Sequence, residues 1–473
     1  MSLDLVIYGG DVVLPNGVMQ LDIGIKHGQI AVLCGHGESG AWPAEQRVDA
    51  AGLHIFPGMI DVHVHFNEPN LGHWEGFAAG SSALAAGGCT TYIDMPLNGN
   101  PPTVTVRAFE EKLRLAAGQS VVDFCLWGGL VPGNAEELDG MAKAGAAGFK
   151  AFISNPGGEG EGRFREVDDW TLYEGMKRIA SFGGLLALHA ENEAITSLLG
   201  EAAASEGRTD ARSFAASRPV VAETEAVGKA LHFAALTGCR LHFVHISSPE
   251  AVRLISGARE SGLDVTVETC PHYLLLTDKD MEAIGPVAKC APPLRSRERV
   301  EQLWALLEEG EIDLIASDHS PCPTSMKEPA SGSFLDAWGG ISGAQSSLEL
   351  MLHEGVRRRG LSYERISRLL SGNPARRFGL YPVKGEIMVG ADADLALVDM
   401  NSSYTLKAEH LKYRHKHSPY IGRTIGCRVA ATYVRGVKVY DLKSREAAAK
   451  SYGRPALPRM ISSPTHTANL KGV

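Results

Sequence analysis

Short apolar runs alternate with helical stretches through the central part of the chain. The runs recur near residues 56–65, 90–95, 121–130, 147–153, 185–190, 241–246, 264–269 and 312–317. Segments rich in Ala and Glu, typical of helices, separate most of them. Eight strand candidates with helices between them predict a (β/α)8 barrel of the TIM type over residues 55–375.

Both ends of the chain follow another pattern. Residues 1–54 alternate apolar and polar positions in short strands broken by Gly-rich turns, and strand patterns return over 376–440. We expect these two segments to fold together into a small β-sandwich beside the barrel. Residues 441–473 are polar with scattered Pro and no clear period, which predicts a surface arm. The fold class is therefore predicted to be α/β, with a barrel and a sandwich built from both termini.

Composition and charge narrow the functional class. The chain has 473 residues, 44% of them hydrophobic, which is enough for a large core and an accessory domain. The formal charge of -9 is not gathered into blocks, which argues against a nucleic-acid or membrane-surface partner and favours a small molecule. Eight cysteines without a Cys-x-x-Cys pair, and no signal-like N-terminal segment, predict reduced thiols in a cytoplasmic protein.

Candidate metal ligands lie at the ends of several apolar runs. The first run contains His63 and His65, and residues i and i+2 of a strand face the same side, so both imidazoles could bind one cation. A single His-x-His pair is equally compatible with two core histidines. Four more candidates follow on the fourth, fifth, sixth and eighth runs, namely Lys150, His189, His245 and Asp318. Because the carboxyl ends of barrel strands share one face, we predict that all six converge.

This set of side chains suits two divalent ions. Two ions held about 3.5–4 Å apart need several nitrogen and oxygen ligands and a bridging group. A buried Lys150 ammonium would be repelled by them, whereas an uncharged lysine can react with carbon dioxide to form a carbamate with two bridging oxygens. We predict that N6-carboxylated Lys150 is the bridge. Zinc is the expected metal, although iron, cobalt, manganese and nickel also suit this set.

The predicted chemistry is hydrolysis. Two cations that share a water molecule lower its pKa toward neutrality and convert it to a bridging hydroxide nucleophile. We expect Asp318 to accept the proton as general base and to deliver it as general acid to the leaving nitrogen of a cleaved amide.

At this level of detail the chain resembles the cyclic amidohydrolases of the amidohydrolase superfamily. This group contains dihydroorotases, dihydropyrimidinases (hydantoinases) and allantoinases, and the resemblance extends from the N-terminal strands through Lys384-Gly385-Glu386-Ile387 and residues 390–395. It implies a barrel with a sandwich from both termini, two metal ions on a carboxylated lysine, and a homotetramer.

Local departures distinguish the branches of the group. Asn67 and Cys322 stand where dihydroorotases carry an Arg and a His that hold the substrate carboxylate, and a buried carboxylate without these partners would cost several kcal/mol. Asn155 replaces a Tyr of the hydantoinases. Residues 72–77, 93–98 and 289–295 are similar to those of allantoinases, which implies hydrolysis of allantoin to allantoate in purine catabolism. Hydantoins or dihydropyrimidines are the alternative substrates.

A third hypothesis is a scaffold protein that has lost its metals, which the complete ligand set disfavours. Allantoin is neutral, so polar uncharged side chains should bind it, and we predict contacts from Asn67, Asn98 and Ser317. Loop capping is the alternative role for each Asn. We also expect His242 and His319 to support the ligands, and the Gly-rich turns around Trp338 to form a loop over the substrate.

Overall fold

The three-dimensional structure is a computed structural model that describes residues 2–157, 162–444, 446–447, 452–456 and 458. It contains a parallel barrel and a separate, mostly antiparallel sheet. The predicted fold class is confirmed.

The barrel contains eight strand positions, and the predicted third run is divided between two short strands. The strands are β6 (Met59–Val64), β7 (Cys89–Asp94), β8 (Asp123–Leu126), β9 (Gly128–Gly129), β10 (Phe149–Phe152), β11 (Leu185–His189), β12 (Arg240–Phe243), β13 (Val265–Thr269) and β14 (Leu314–Ile315). Parallel pairing links β6 to β7 and β8, and it links β9 through β14 in chain order. A bridge between Val64 and His319 joins the eighth position to the first.

Helices surround the barrel, and side chains cap several of their N-termini. Asp168, Asn192 and Ser248 each accept a hydrogen bond from a backbone N–H of the first helical turn. The helices are α1 (Phe77–Ala86), α2 (Val106–Gln119), α3 (Leu138–Lys143), α4 (Asp169–Ser181), α5 (Glu193–Ser205), α6 (Ala211–Ser217), α7 (Val220–Thr237), α8 (Pro249–Glu260), α9 (Pro271–Leu275), α10 (Asp278–Ile284), α11 (Arg297–Glu309), α12 (Thr324–Lys327), α13 (Ser347–Met351), α14 (Tyr363–Ser367) and α15 (Asn373–Arg377).

Short turns of other helix types complete the helical part of the chain. They are 3-10 turns at Glu38–Ala41, Ala135–Glu137, Pro286–Ala288, Ala344–Ser346 and Ala408–His410, and π-helical turns at Leu352–Arg358 and Arg368–Gly372. None of the described helices combines the length and apolar character needed to cross a bilayer.

Both ends of the chain contribute to one nine-stranded sheet. Its strands are β1 (Leu3–Leu14), β2 (Gly17–Lys26), β3 (Gln29–Gly35), β4 (Ala44–Asp49), β5 (His54–Pro57), β15 (Leu395–Asp399), β18 (Arg428–Val434), β19 (Val437–Asp441) and β20 (Glu446–Ala447). The long strand β1 has a bulge between Ile7 and Gly10 in its pairing with β2. On its other side, the first half of β1 pairs with β4 and the second half pairs with β5. A separate pair contains β16 (Tyr404–Thr405) and β17 (Thr424–Ile425).

The first apolar run, near 56–65, contains two strands rather than one. Strand β5 pairs with β1 and β15 in the terminal sheet, whereas β6 begins the barrel. Gly58 lies between them, where a Cβ atom would come within 2.1 Å of the Thr90 hydroxyl. Only glycine allows this close passage from the sheet into the barrel.

Part of the expected surface arm, residues 441–473, lies outside the described residues. Its described segment 452–456 lies against the barrel, where Phe124 donates to Arg454 O and Ala456 donates to Phe124 O at 3.1 and 2.8 Å. This segment therefore supplies backbone hydrogen bonds along β8, which pairs on its other side with β7.

Candidate metal centre

Five predicted ligands line one cavity of about 330 Å³ at the carboxyl end of the barrel strands. They are His63, His65, His189, His245 and Asp318. His63 lies in β6 and His65 just after it, His189 ends β11, and the other two follow β12 and β14 by two and three residues. Parallel strands in a closed barrel bring these ends together, as the sequence pattern predicts.

Asp318 is the centre of the first half of the cluster. Its Oδ1 atom lies 3.1 Å from His63 Nε2 and 3.3 Å from His65 Nε2. Burial opposes ionisation, but the imidazoles of His63, His65 and His245 hold the pKa of Asp318 well below its usual range. The side chain is therefore a carboxylate, the form that can bind a cation or accept a proton.

His189 and His245 form the second half. His189 Nδ1 and His245 Nε2 lie 3.0 Å apart, and the ring of His245 is 5.4 Å from that of His63. Ligand atoms of His63, His245 and Asp318 lie within 4.8 Å of one another. Burial and the neighbouring groups His189 and Lys150 lower the pKa of His245 well below its usual value, so its imidazole is neutral. Neutral imidazoles with an ionised carboxylate are the donor set that binds zinc and similar ions.

Lys150 lies at the second position of β10, inside the strand rather than at its end. Its side chain is fully buried, and Nζ has no hydrogen-bond partner among the residues that the structure describes. Burial lowers the pKa of Lys150 to about 7, although Asp318 and Glu268 act in the opposite direction. A large share of uncharged amine at neutral pH fits the predicted carboxylation, which requires a deprotonated lysine.

Glu268 supports the ligands and was not predicted. Its carboxylate lies 2.7 Å from His63 Nδ1 and 3.0 Å from His242 Nε2, and it accepts the backbone N–H of His245 at 3.1 Å. Burial opposes its ionisation, but His63 and His242 hold the pKa of Glu268 at about 2. Glu268 is a charged residue inside an apolar strand, as Lys150 is. This sequence feature could have identified Glu268 as a candidate site residue.

A second buried carboxylate orients His189. Glu191 Oε2 lies 2.9 Å from His189 Nε2 and 2.5 Å from Arg218 Nη1. Arg218 lies on the cavity wall. Its ion pair with Glu191 compensates its charge. His242, expected to support a ligand, does so through Glu268, whereas His319 accepts the backbone N–H of Gly343.

The predicted substrate contacts differ in position. Asn98 lies on the cavity wall, as do Asn155 and the Cys290-Ala291 segment. Asn67 is buried and donates from Nδ2 to Pro321 O at 3.3 Å, and its Oδ1 has no partner among the described residues. Ser317 is also behind the wall, where its hydroxyl donates to His63 O. Of the three predicted contacts, Asn98 alone is on the wall.

Backbone strain is concentrated at this site. His245 and Asp318 have φ angles of 41° and 45°, and Asn67 and Asn98 have φ angles of 65°. A side chain in this region costs of order 1 kcal/mol or more, and such positions are common at binding and catalytic sites.

The donor set, the buried amine and the parallel barrel together define a metal-dependent hydrolase. The model of the amidohydrolase family matches residues 54–439, and the chain belongs to this family. An allantoinase from Deinococcus radiodurans is 49% identical over 98% of this chain and 100% of its own length. One from Rubrobacter xylanophilus is 50% identical over 93% and 95%. An L-hydantoinase structure from Arthrobacter aurescens has a TM-score of 0.92 at 37% identity, covering 96% of this chain and 100% of its own.

Proposed function

We propose that this protein hydrolyses the cyclic amide bond of allantoin and releases allantoate. The single observation that carries the proposal is the near full-length identity of 49–50% to two allantoinases. The cavity agrees with this function, because it contains the metal-ligand side chains of a hydrolase. A hydantoinase or dihydropyrimidinase is the second candidate, favoured by the TM-score of 0.92 with the L-hydantoinase.

The metal-binding residues in this proposal are those that the sequence predicts. His63, His65 and Asp318 would hold one divalent ion, His189 and His245 the other, and carboxylated Lys150 would join the two. The buried Nζ of Lys150, which has no hydrogen-bond partner in the part of the chain that the structure describes, and the neutral imidazole of His245 fit such a centre. When bound, divalent ions supply Lewis acidity that activates a water molecule and polarises the scissile carbonyl.

The residues of the chain have separate tasks in ring opening. Asp318 Oδ1 accepts a proton from the attacking water molecule and then donates this proton to the ring nitrogen of the cleaved amide. The ring nitrogen is a poor leaving group unless it is protonated in this way. Glu268 keeps the His63 ring in place through the contact at Nδ1, so that Nε2 faces Asp318. Asn98 would donate or accept a hydrogen bond with the substrate from the wall. Asn67 and Ser317, for which the sequence predicts substrate contacts, would instead support that wall through their hydrogen bonds to Pro321 O and His63 O.

The charges around the cavity favour a neutral substrate. Glu191 neutralises Arg218, and three backbone carbonyls accept the N–H groups of Lys289. Neither cation is therefore available to pair with a substrate carboxylate without losing its present partners. Binding of dihydroorotate would bury an anion at a cost of several kcal/mol, and thus several decades in rate constant.

Steady-state kinetics on metal-loaded protein test this proposal. We expect kcat/KM for allantoin to exceed that for hydantoin and dihydrouracil, and to exceed that for dihydroorotate by at least about a thousandfold. Efficient hydrolysis of dihydrouracil without hydrolysis of allantoin would support the hydantoinase candidate instead. Comparable efficiency on dihydroorotate would overturn the specificity argument.

We further propose two zinc ions per chain, a homotetramer and a cytoplasmic location. Elemental analysis of protein expressed with ample metal should approach two ions per chain, and light scattering should give four chains per particle. Full activity with one ion or none would contradict the binuclear centre.

A further inference from the structure

A loop with two glycines lines the cavity that contains the candidate metal ligands. Residues 335–340 all lie on the cavity wall, and with Phe334 they form what we call the cover loop, residues 334–340. Gly339 and Gly340 are adjacent within it. Glycine loses more conformational freedom than other residues when a loop becomes ordered, so this loop needs contacts that define its backbone.

Lys289 supplies the first set of these contacts. Its Nζ donates to the backbone carbonyls of Phe334, Leu335 and Ala337 at 2.8, 2.8 and 2.6 Å. The side chain is 4% exposed, and its backbone carbonyl also accepts the N–H of Gly340. All three N–H donors of this ammonium therefore bind one half of the cover loop.

Lys327, at the end of α12, supplies the second set. Its Nζ donates to the backbone carbonyls of Trp338 and Gly340 at 2.8 and 2.5 Å, and to Pro286 O at 3.0 Å. This side chain is 2% exposed and is absent from the cavity wall. It connects the other half of the loop to the segment just before Lys289.

Among the described residues, both Nζ atoms donate to backbone carbonyls and neither forms an ion pair with a carboxylate, although Asp336 of the loop is close enough to raise the pKa of Lys289 slightly against the effect of burial. Burial makes a charged amine costly here and lowers the pKa of Lys289 to about 7 and that of Lys327 to about 8. An apolar residue of similar size would therefore stabilise the fold at least as well. The N–H donors of both side chains meet these loop carbonyls only when the loop has this one backbone conformation. The two lysines therefore specify the loop conformation rather than add to general stability.

We propose that Lys327 and Lys289 are positioning residues that hold the cover loop in its substrate-binding conformation. The inference rests on the proposed function, because its test measures KM and kcat for allantoin. Lys289 also lies on the cavity wall, where it could contact the substrate directly, whereas Lys327 does not line the cavity. A substitution of Lys327 therefore tests loop positioning without removing a substrate contact.

The test compares Lys327→Met with the wild type and with Lys177→Met. Lys177 is 51% exposed and pairs with Glu174 on the same helix, so its replacement is the matched control. We expect Lys327→Met to raise KM for allantoin about tenfold with kcat changed less, and to accelerate amide hydrogen exchange across 334–340 at least about tenfold. Metal content should equal that of the wild type.

An unchanged KM, with or without faster exchange, would overturn the proposal, as would a loss of metal with unchanged loop exchange. If Lys327→Met does not fold, the same measurements on Lys327→Gln decide, because Gln keeps a donor at this position. A wild type that is inactive on allantoin would refute the proposed function, and the exchange measurement would still decide whether Lys327 holds the loop.

Discussion

At the residue scale, Lys150 combines full burial with an amine that has no hydrogen-bond partner among the described residues. Its neighbours Asp318 and Glu268 favour the ammonium, but burial prevails and lowers the pKa to about 7. A buried amine without a hydrogen-bond partner costs free energy, and residues with such shifted pKa values cluster at functional sites. The proposed carboxylation would convert it into an anion with two oxygens beside the imidazoles.

Lys150→Ala should therefore lose bound metal and activity, because the variant cannot form the proposed carbamate bridge. Short-chain carboxylic acids should restore part of both, since their carboxylates can occupy the same space. Elemental analysis and initial rates check this. The matched control is His189→Ala, which these acids should not rescue. A free amine at Lys150 in fully active enzyme, detected by mass spectrometry, would rule out the carbamate.

Glu268→Gln should weaken metal binding roughly 10–100-fold, as is usual when a group that orients a metal-binding His is lost. The amide cannot accept all three of the present contacts from His63, His242 and the His245 N–H. Competition with a chelator measures the change. Glu349→Gln is the control, because Glu349 is also buried but binds Tyr404 and the N–H of Val429 in the sheet region. Equal losses in both variants would contradict an orienting role.

At the element scale, α4 begins with a side-chain cap that its sequence encodes. Asp168 accepts the N–H of Thr171 at 2.7 Å, and this hydrogen bond lowers the pKa of Asp168. Aspartate before an apolar-periodic segment is a typical helix start, so this element could be located from local sequence.

Asp168→Ala should lower the free energy of unfolding by about 1 kcal/mol, the usual effect of losing an N-cap. Urea denaturation measures it. Asp169→Ala is the control, because Asp169 is 69% exposed and its ion pair with Lys229 should contribute less. The cap needs the carboxylate, whose pKa is lowered on folding, so the difference between the variants should shrink as pH falls below about 4. A constant difference would contradict this explanation.

At the scale of the whole molecule, a buried ionic cluster joins the barrel to the terminal sheet. Lys384 Nζ lies 2.7, 3.0 and 2.6 Å from carboxylate oxygens of Asp123, Asp392 and Asp394. Arg435 also pairs with Asp123, which begins β8. Burial alone would lower the pKa of Lys384, but the three carboxylates raise it above its ordinary value.

Lys384→Met should destabilise the protein by about 3–5 kcal/mol, because the buried carboxylates of Asp123 and Asp394 and the partly exposed one of Asp392 lose a shared partner. In the wild type the raised lysine pKa keeps this contribution constant up to about pH 10. In the variant, burial and the neighbouring carboxylates raise the pKa of Asp394 above that of the unfolded chain with no Lys384 ammonium to oppose them, so stability should fall as pH rises from about 4. Urea denaturation across pH measures this, with Lys438→Met as control, because the Lys438 side chain is exposed and pairs with Asp441 of the same strand. A pH-independent loss would contradict the mechanism.

The sequence by itself determined the alternation of strands and helices and the nature of the ligand side chains. Periodicity depends on neighbouring residues, so the eight runs and the terminal strands could be read locally. His63, His65 and Asp318 could be identified because polar side chains at the ends of apolar barrel strands share one face. The boundaries of the strands were harder to predict. Strands β5 and β6 form one apolar run in the sequence, and they are separate strands because the chain passes from the sheet into the barrel at Gly58, where it packs closely against Thr90.

Only the tertiary structure decided which distant residues support the site. Glu268 contacts His63 across 205 positions of sequence, and Lys289 reaches the cover loop across 45 or more. Such contacts depend on how helices and strands that are distant in sequence pack together. The pattern of apolar and polar residues within one segment contains no information about this packing. For the same reason, the sequence could not indicate that Asn98 lies on the cavity wall while Asn67 binds Pro321 behind it. Side-chain type follows from sequence, but partners follow from packing.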